Sequence, residues 1–228
     1  MIDRAVSDNG DLQALLRLMA WLSPAFPVGS FAYSGGLERA VHDNLVRDSI
    51  GLEGWISTLI RNGSVWNDAV LLVEAHRASS DIKRLAAVAE LAEALAGSKE
   101  RHNETILLGD AFLSAAAAWP HEIFSTLPTR MAYPVAVGVI AGAHGISVEK
   151  AAAAFLHALA SQMVSAGIRL GVSGQKDGVA VLARLEGFFA DVARRAAQSS
   201  LDDLGAATVQ ADIASLRHEI QRTRLFRS

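Results

Sequence analysis

The sequence predicts an all-α fold, a single-domain helical bundle of about ten helices spanning residues 1–228. Three observations predict it. Apolar residues recur at spacings of three and four, long alternating β-branched runs are missing, and capping and stopping residues punctuate the chain at helix-length intervals. With 228 residues and 51% hydrophobic side chains, the chain can bury one sizeable core.

Residues 1–10, polar and acidic, read as a flexible N-terminus. Leu12, Leu15, Leu16, Met19 and Leu22 then make an apolar stripe on a first helix, which must end near Ser23 because Pro24 and Pro27 come next. Asp48 caps a helix carrying Leu52, Ile56, Leu59 and Ile60, and Gly63 separates it from one carrying Val65, Ala69, Leu72 and Val73. Ser80 or Asp81 opens an alanine-rich helix ending at Gly97. Ser98 caps the next, which runs to about Trp119 and is stopped by Pro120. A short "HEIFSTLP" piece leads to two apolar helices within Pro134–Gly174, then a helix from about Asp177 to Ala197 and a last one from about Ala207.

Those two apolar helices fail the requirements of a membrane span. "PVAVGVIAGAHGI" is too short, and Glu149, Lys150, His157 and Arg169 interrupt the second helix, whereas a span needs about 20 mostly apolar residues. Their Ala and Gly content suits helices at the centre of a bundle, where backbones approach closely. No membrane partner is expected. Twenty-one Lys and Arg against 24 Asp and Glu give a net charge of −3, which speaks against a nucleic-acid partner. The absence of cysteine removes disulfides, thiolate catalysis and Cys-ligated metals, and fits a cytoplasmic protein. The N-terminus lacks the basic start and apolar run of an export signal.

Motifs for enzymatic chemistry are sparse. No G-x-x-x-x-G-K-[ST] occurs, and the glycines of "GVSGQKDG" read as turn residues. The seven histidines form no ligand pair on one helical face, and His144 and His157 read as hydrogen-bonded core residues. Glu100 and Glu104 share a face at i, i+4 and read as solvated helix surface. No nucleophile and base can be paired.

Two stretches resist a bland reading. In "SPAFPVGSFAYSGGLE", Pro24 and Pro27 stiffen the connection while Gly29, Gly35 and Gly36 permit bends. Phe26, Val28, Phe31 and Tyr33 then either staple the first helices together as a buried connector or present a partner-facing aromatic loop. In "DIASLRHEIQRTRLFRS", Ile213, Leu216 and Ile220 form a helical stripe, and Arg222, Arg224 and Arg227 frame Leu225 and Phe226. Such an apolar tip needs a surface to cover it, either the protein's own core or another protein. Residues 222–228 are expected to form a partner-binding tail whose removal takes nothing from the bundle core.

The stretches "LMAWLSPAFPVGSFAYSGGLERAV", "WNDAVLLVEAHRA", "SKERHNETILLGDAFL", "YPVAVGVIAGAHGI", "VSAGIRLGVSGQKDG" and "TRLFRS" together resemble the urease accessory protein F family, in the family's order and over nearly the whole chain. Two departures stand out: Gly35, where relatives commonly have His or Gln, and Gly171-Val172-Ser173, where many have a Pro-Leu step. The resemblance implies an all-helical cochaperone rather than an enzyme. It would join urease accessory protein D, also called H (UreD/UreH), to the nickel-carrying GTPase UreG and dock on apo-urease, acting as a homodimer. Ni²⁺ and GTP would belong to the complex, with no cofactor held tightly by this chain. By the same resemblance the partner-binding residues are Pro24, Phe26, Pro27, Gly29, Phe31, Tyr33, Ser34, Gly36, Glu38, Arg169, Gln175, Arg222, Arg224, Leu225 and Phe226. Two alternatives stay open: a GTPase-activating protein whose arginine finger is Arg169, Arg222 or Arg224, and an unrelated helical enzyme.

Overall fold

A computed structural model describes residues 2–228, with side chains described from Gly10 onward. Of the segment 1–10 expected to be flexible, Met1 lies outside the described residues, and residues 2–9 are described in their backbone alone, as part of the first helix. Among the described residues there are ten α-helices and no strand. They are α1 (Ile2–Trp21), α2 (Leu37–His42), α3 (Ser49–Asn62), α4 (Ser64–Arg77), α5 (Ile82–Ala94), α6 (Lys99–Ala116), α7 (Tyr133–Ala143), α8 (Val148–Arg169), α9 (Gln175–Gln198) and α10 (Val209–His218). Short 3₁₀ turns lie at Ser30–Ala32, Glu122–Ser125 and Leu201–Asp203.

The starts reflect local capping chemistry. Asp48 accepts a 2.8 Å hydrogen bond from the Gly51 amide, Asp81 accepts from the Lys83 and Arg84 amides, and Ser98 accepts from the Arg101 amide. Helix α2 lacked such a signal. It is only six residues long, and Gly36, left-handed at φ 79°, precedes it in place of a capping Ser or Asp.

Helices α4 and α7 form the centre. Tyr133–Ala141 is buried without a break, as is most of Val65–Ala75. Glycine permits the approach: a Cβ on Gly138 would lie 2.2 Å from the Leu72 carbonyl oxygen, and one on Gly109 of α6 would lie 2.0 Å from that of Met131. Helices α8 and α9 pack alongside, α9 burying Val181, Leu185, Phe189, Val192 and Ala196 on one face. By length and composition α8 is apolar enough to cross a membrane, but 56% of its apolar window is buried inside the bundle.

Helix α1 departs from expectation. Leu12, Leu15, Leu16 and Met19 face outward, whereas Ala14, Leu18 and Trp21 are buried. Trp21 decides the rotation by packing against Phe112, Trp119 and His144, and so large an aromatic side chain dominates the burial energy of its helix. The histidine reading holds for His144, which is half-buried, accepts from Arg17 at 3.1 Å and packs against Trp21, but not for His157. His157 is exposed and packs edge-on against Phe189, whereas the fully buried histidine is His218 of α10.

Candidate partner-binding site

The stiff connector after α1 turns at Gly29, left-handed at φ 79°, into the 3₁₀ turn Ser30–Ala32. Phe26 packs against Phe112 at 5.6 Å between ring centres, and Tyr33 and Ser34 are buried. Part of the connector is therefore core. Pro24, Pro27 and Phe31 remain exposed, Phe31 at 73%. Helix α8 holds the turn in place: Gln162 Nε2 donates to the Ser30 carbonyl (2.9 Å), and Arg169 Nη1 donates to that of Phe31 (2.5 Å).

The C-terminal segment packs on this connector. The Arg227 amide donates to the Ala32 carbonyl (2.8 Å), the Ser34 amide and hydroxyl both donate to the Ser228 carbonyl, and the Phe226 ring lies under the Arg169 guanidinium, 4.2 Å from its centre. Phe226 and Ser228 are buried. The expectation that the tail contributes nothing to the core is thus overturned. The bundle itself supplies the surface that Phe226 needs, while Leu225 stays 53% exposed.

Glu38, at the start of α2, ties these parts together. Its Oε1 accepts from the Leu225 amide (2.7 Å) and its Oε2 from the Phe226 amide (3.0 Å), with His218 Nε2 at 3.1 Å. Burial alone would raise its pKa, but the hydrogen bonds from Leu225, His218 and Phe226 outweigh burial and hold it below the ordinary value. On the other side of the ring, His218 Nδ1 meets Glu100 Oε2 at 2.7 Å, and Arg224 pairs with Glu100 Oε1. Arg224 also donates to the carbonyls of Gln221 and Glu219.

The i, i+4 carboxylates of α6 are accordingly not solvated surface. Glu104 is buried, accepting from the Ser228 hydroxyl at 2.9 Å, and Arg101 lies between it and buried Asp68. Burial pushes the pKa of both Asp68 and Glu104 upward against the pull of Arg101. Sequence reasoning missed Asp68, Arg101, Gln162 and His218. The Glu100/Glu104 spacing was the one available sign of a carboxylate cluster, and nothing local marked its partners.

Most expected site residues thus converge where connector, α2, α8 and tail meet. Gln175 does not: it stands exposed at the start of α9. Arg222 is exposed and makes no ion pair among the described residues. Two apolar surfaces flank the convergence. One is the outward stripe of α1, continuing past Leu22 and Pro24 into a groove lined by Val28, Phe31, Tyr133 and Phe226. The other is formed by Val209, Ile213, Leu216 and Ile220 along and just beyond α10, every one of them solvent-exposed. Among the described residues, no three or more His, Asp or Glu side chains are grouped to hold a metal ion.

Fold and surface define an all-helical protein that presents apolar helix faces outward around a tail locked onto its own connector. A family model described as UreF matches residues 46–186. The chain is 72% identical over 218 residues to the urease accessory protein UreF of Rhizobium johnstonii, covering 96% of this chain and 98% of the relative. It is 70% identical to that of Rhizobium etli and 60% to that of Agrobacterium fabrum, in both cases over 98% of this chain and all of the relative. The chain belongs to the urease accessory protein UreF family, and its general role is that of an accessory protein in urease maturation.

Proposed function

We propose that this chain is an adaptor in nickel delivery to apo-urease, bridging UreD/UreH and the GTPase UreG in the cytoplasm and working as a homodimer. Ni²⁺ is then cargo, and GTP is the partner's substrate. The observation that supports an adaptor is the outward display of two separate apolar stripes, Leu12/Leu15/Leu16/Met19 and Val209/Ile213/Leu216/Ile220. A lone monomer gains nothing from leaving such faces in water, whereas partner helices would bury them. The Arg-framed tail lies near the second stripe in sequence and adds charged contacts at its rim.

Copurification with UreD/UreH and UreG, together with nickel-dependent urease activation in cells lacking the native protein, tests the reading. Recovery of neither partner and full activation without this chain would overturn it. A GTPase-activating role is the second reading, and Arg222 favours it. Arg169 and Arg224 are committed to bonds within the chain, which leaves Arg222 as the candidate finger that could reach a partner's phosphates. An unchanged GTP turnover rate on adding this protein would remove that role and leave the adaptor intact.

A further inference from the structure

We infer that the C-terminal tail is fastened to the bundle by a proton-dependent clasp in which His218, as imidazolium, bridges the carboxylates of Glu38 and Glu100. Both ring nitrogens face carboxylate oxygens, Nε2 toward Glu38 at 3.1 Å and Nδ1 toward Glu100 at 2.7 Å, and the ring is fully buried. A neutral imidazole carries one N–H, so it could satisfy only one of these acceptors and would set a lone pair against the other.

The carboxylates cannot readily supply the missing proton. Glu38 already accepts from two backbone amides of the tail, Leu225 and Phe226, as well as facing the ring, a set of donors that favours its ionised form. Glu100 accepts from Arg224 on its other oxygen. The four central charges therefore balance: two carboxylates against one imidazolium and one guanidinium. Loss of the proton would leave a net negative charge around a ring that is itself fully buried, with only the partly exposed Arg224 to offset it.

The remaining nearby charges are turned elsewhere. On α2, Arg39 pairs with Asp43; on α6, Arg101 reaches Asp68 and Glu104; on α10, Arg217 reaches Asp43, and beyond it Glu219 accepts from the Lys99 and Glu100 amides. None of them can replace the imidazolium. Since Glu38 holds the Leu225 and Phe226 amides, breaking its contact with His218 loosens the segment that carries Phe226. The clasp closes between an acid limb, where a carboxylate takes up a proton, and an alkaline limb, where His218 gives one up.

The test is amide hydrogen exchange on the full chain from about pH 5.5 to about pH 9, expressed as protection relative to intrinsic rates. Wild-type protection at Leu225, Phe226 and Arg227 should fall at least about tenfold toward the alkaline end, a change equivalent to ~1.4 kcal/mol, while amides of α7 keep theirs. His218→Gln should show low tail protection with no such transition. A tail protected equally at every pH, or a His218→Gln variant with the wild-type transition, overturns the clasp. Should that variant fail to fold, ring ¹⁵N chemical shifts of wild-type His218 decide alone: a doubly protonated ring at neutral pH supports the clasp, and a singly protonated ring refutes it.

Discussion

The Arg169 guanidinium stacks 4.2 Å above the centre of the Phe226 ring while donating a 2.5 Å hydrogen bond to the Phe31 carbonyl. One side chain of α8 thereby couples the connector to the tail. Arg169→Ala should cost about 1–2 kcal/mol, the sum of a cation–π contact and a hydrogen bond. Arg169→Lys should recover only part of this because an ammonium lacks the planar fork. Urea unfolding of the three proteins checks both, and a neutral Arg169→Ala would mean that the tail is held without it.

Because Phe226 is buried, Phe226→Ala should destabilise the fold by about 3 kcal/mol. Removing residues 223–228 should cost at least as much, since Ser228 and its bonds to Ser34 and Glu104 leave too. Differential scanning calorimetry measures the effect. An unchanged melting temperature would show the tail to be a loose appendage.

Gly138→Ala places a methyl group where the Leu72 carbonyl already stands, 2.2 Å from the new carbon. Relief requires α4 and α7 to separate, and overpacking of this kind in a rigid core typically costs about 1–3 kcal/mol or more. Circular dichroism with a denaturant titration reports it. By contrast Gly187→Ala, which meets nothing within 4 Å on the surface of α9, should be neutral or mildly stabilising.

Burial, followed by the charges of Arg17 and His121, lowers the pKa of His144 from 6.5 to about 4. In the unfolded chain the ring takes up a proton below about pH 6.5, whereas in the fold it stays neutral until about pH 4. The unfolded state therefore binds more protons in that window, and stability falls as pH drops through it. In His144→Gln the urea midpoint should change less between about pH 7 and about pH 5 than in wild type. Equal slopes for the two proteins would contradict the assignment.

Ile213→Asp combined with Leu216→Asp alters an exposed face of α10, so the two changes together should move stability by no more than about 1 kcal/mol. Copurification with UreD/UreH should nevertheless be lost if this stripe carries partner contacts. Undiminished recovery would transfer that role to the α1 stripe, where the same substitution at Leu15 and Met19 tests it.

Sequence alone determined the helical class, most helix boundaries and the central place of α7, because these depend on local chemistry. Asp48, Asp81 and Ser98 bond to amides two or three residues away, and the Ala and Gly of α7 declare a close-packed helix wherever it sits. Two segments stood out as functional, yet their union did not, since Glu38 and Phe226 are 188 residues apart and no periodicity links them. Tertiary structure also decided which face of an amphipathic helix turns inward. On α1 the leucine stripe and the Ala14/Leu18/Trp21 edge are both apolar, and the aromatic box around Trp21 selects the second. It likewise buried Glu104, which reads from the sequence as solvated surface, and set His218, which the sequence left unmarked, between two carboxylates. Burial of a charge is set by what the rest of the chain places around it, and local sequence carries no record of that surrounding.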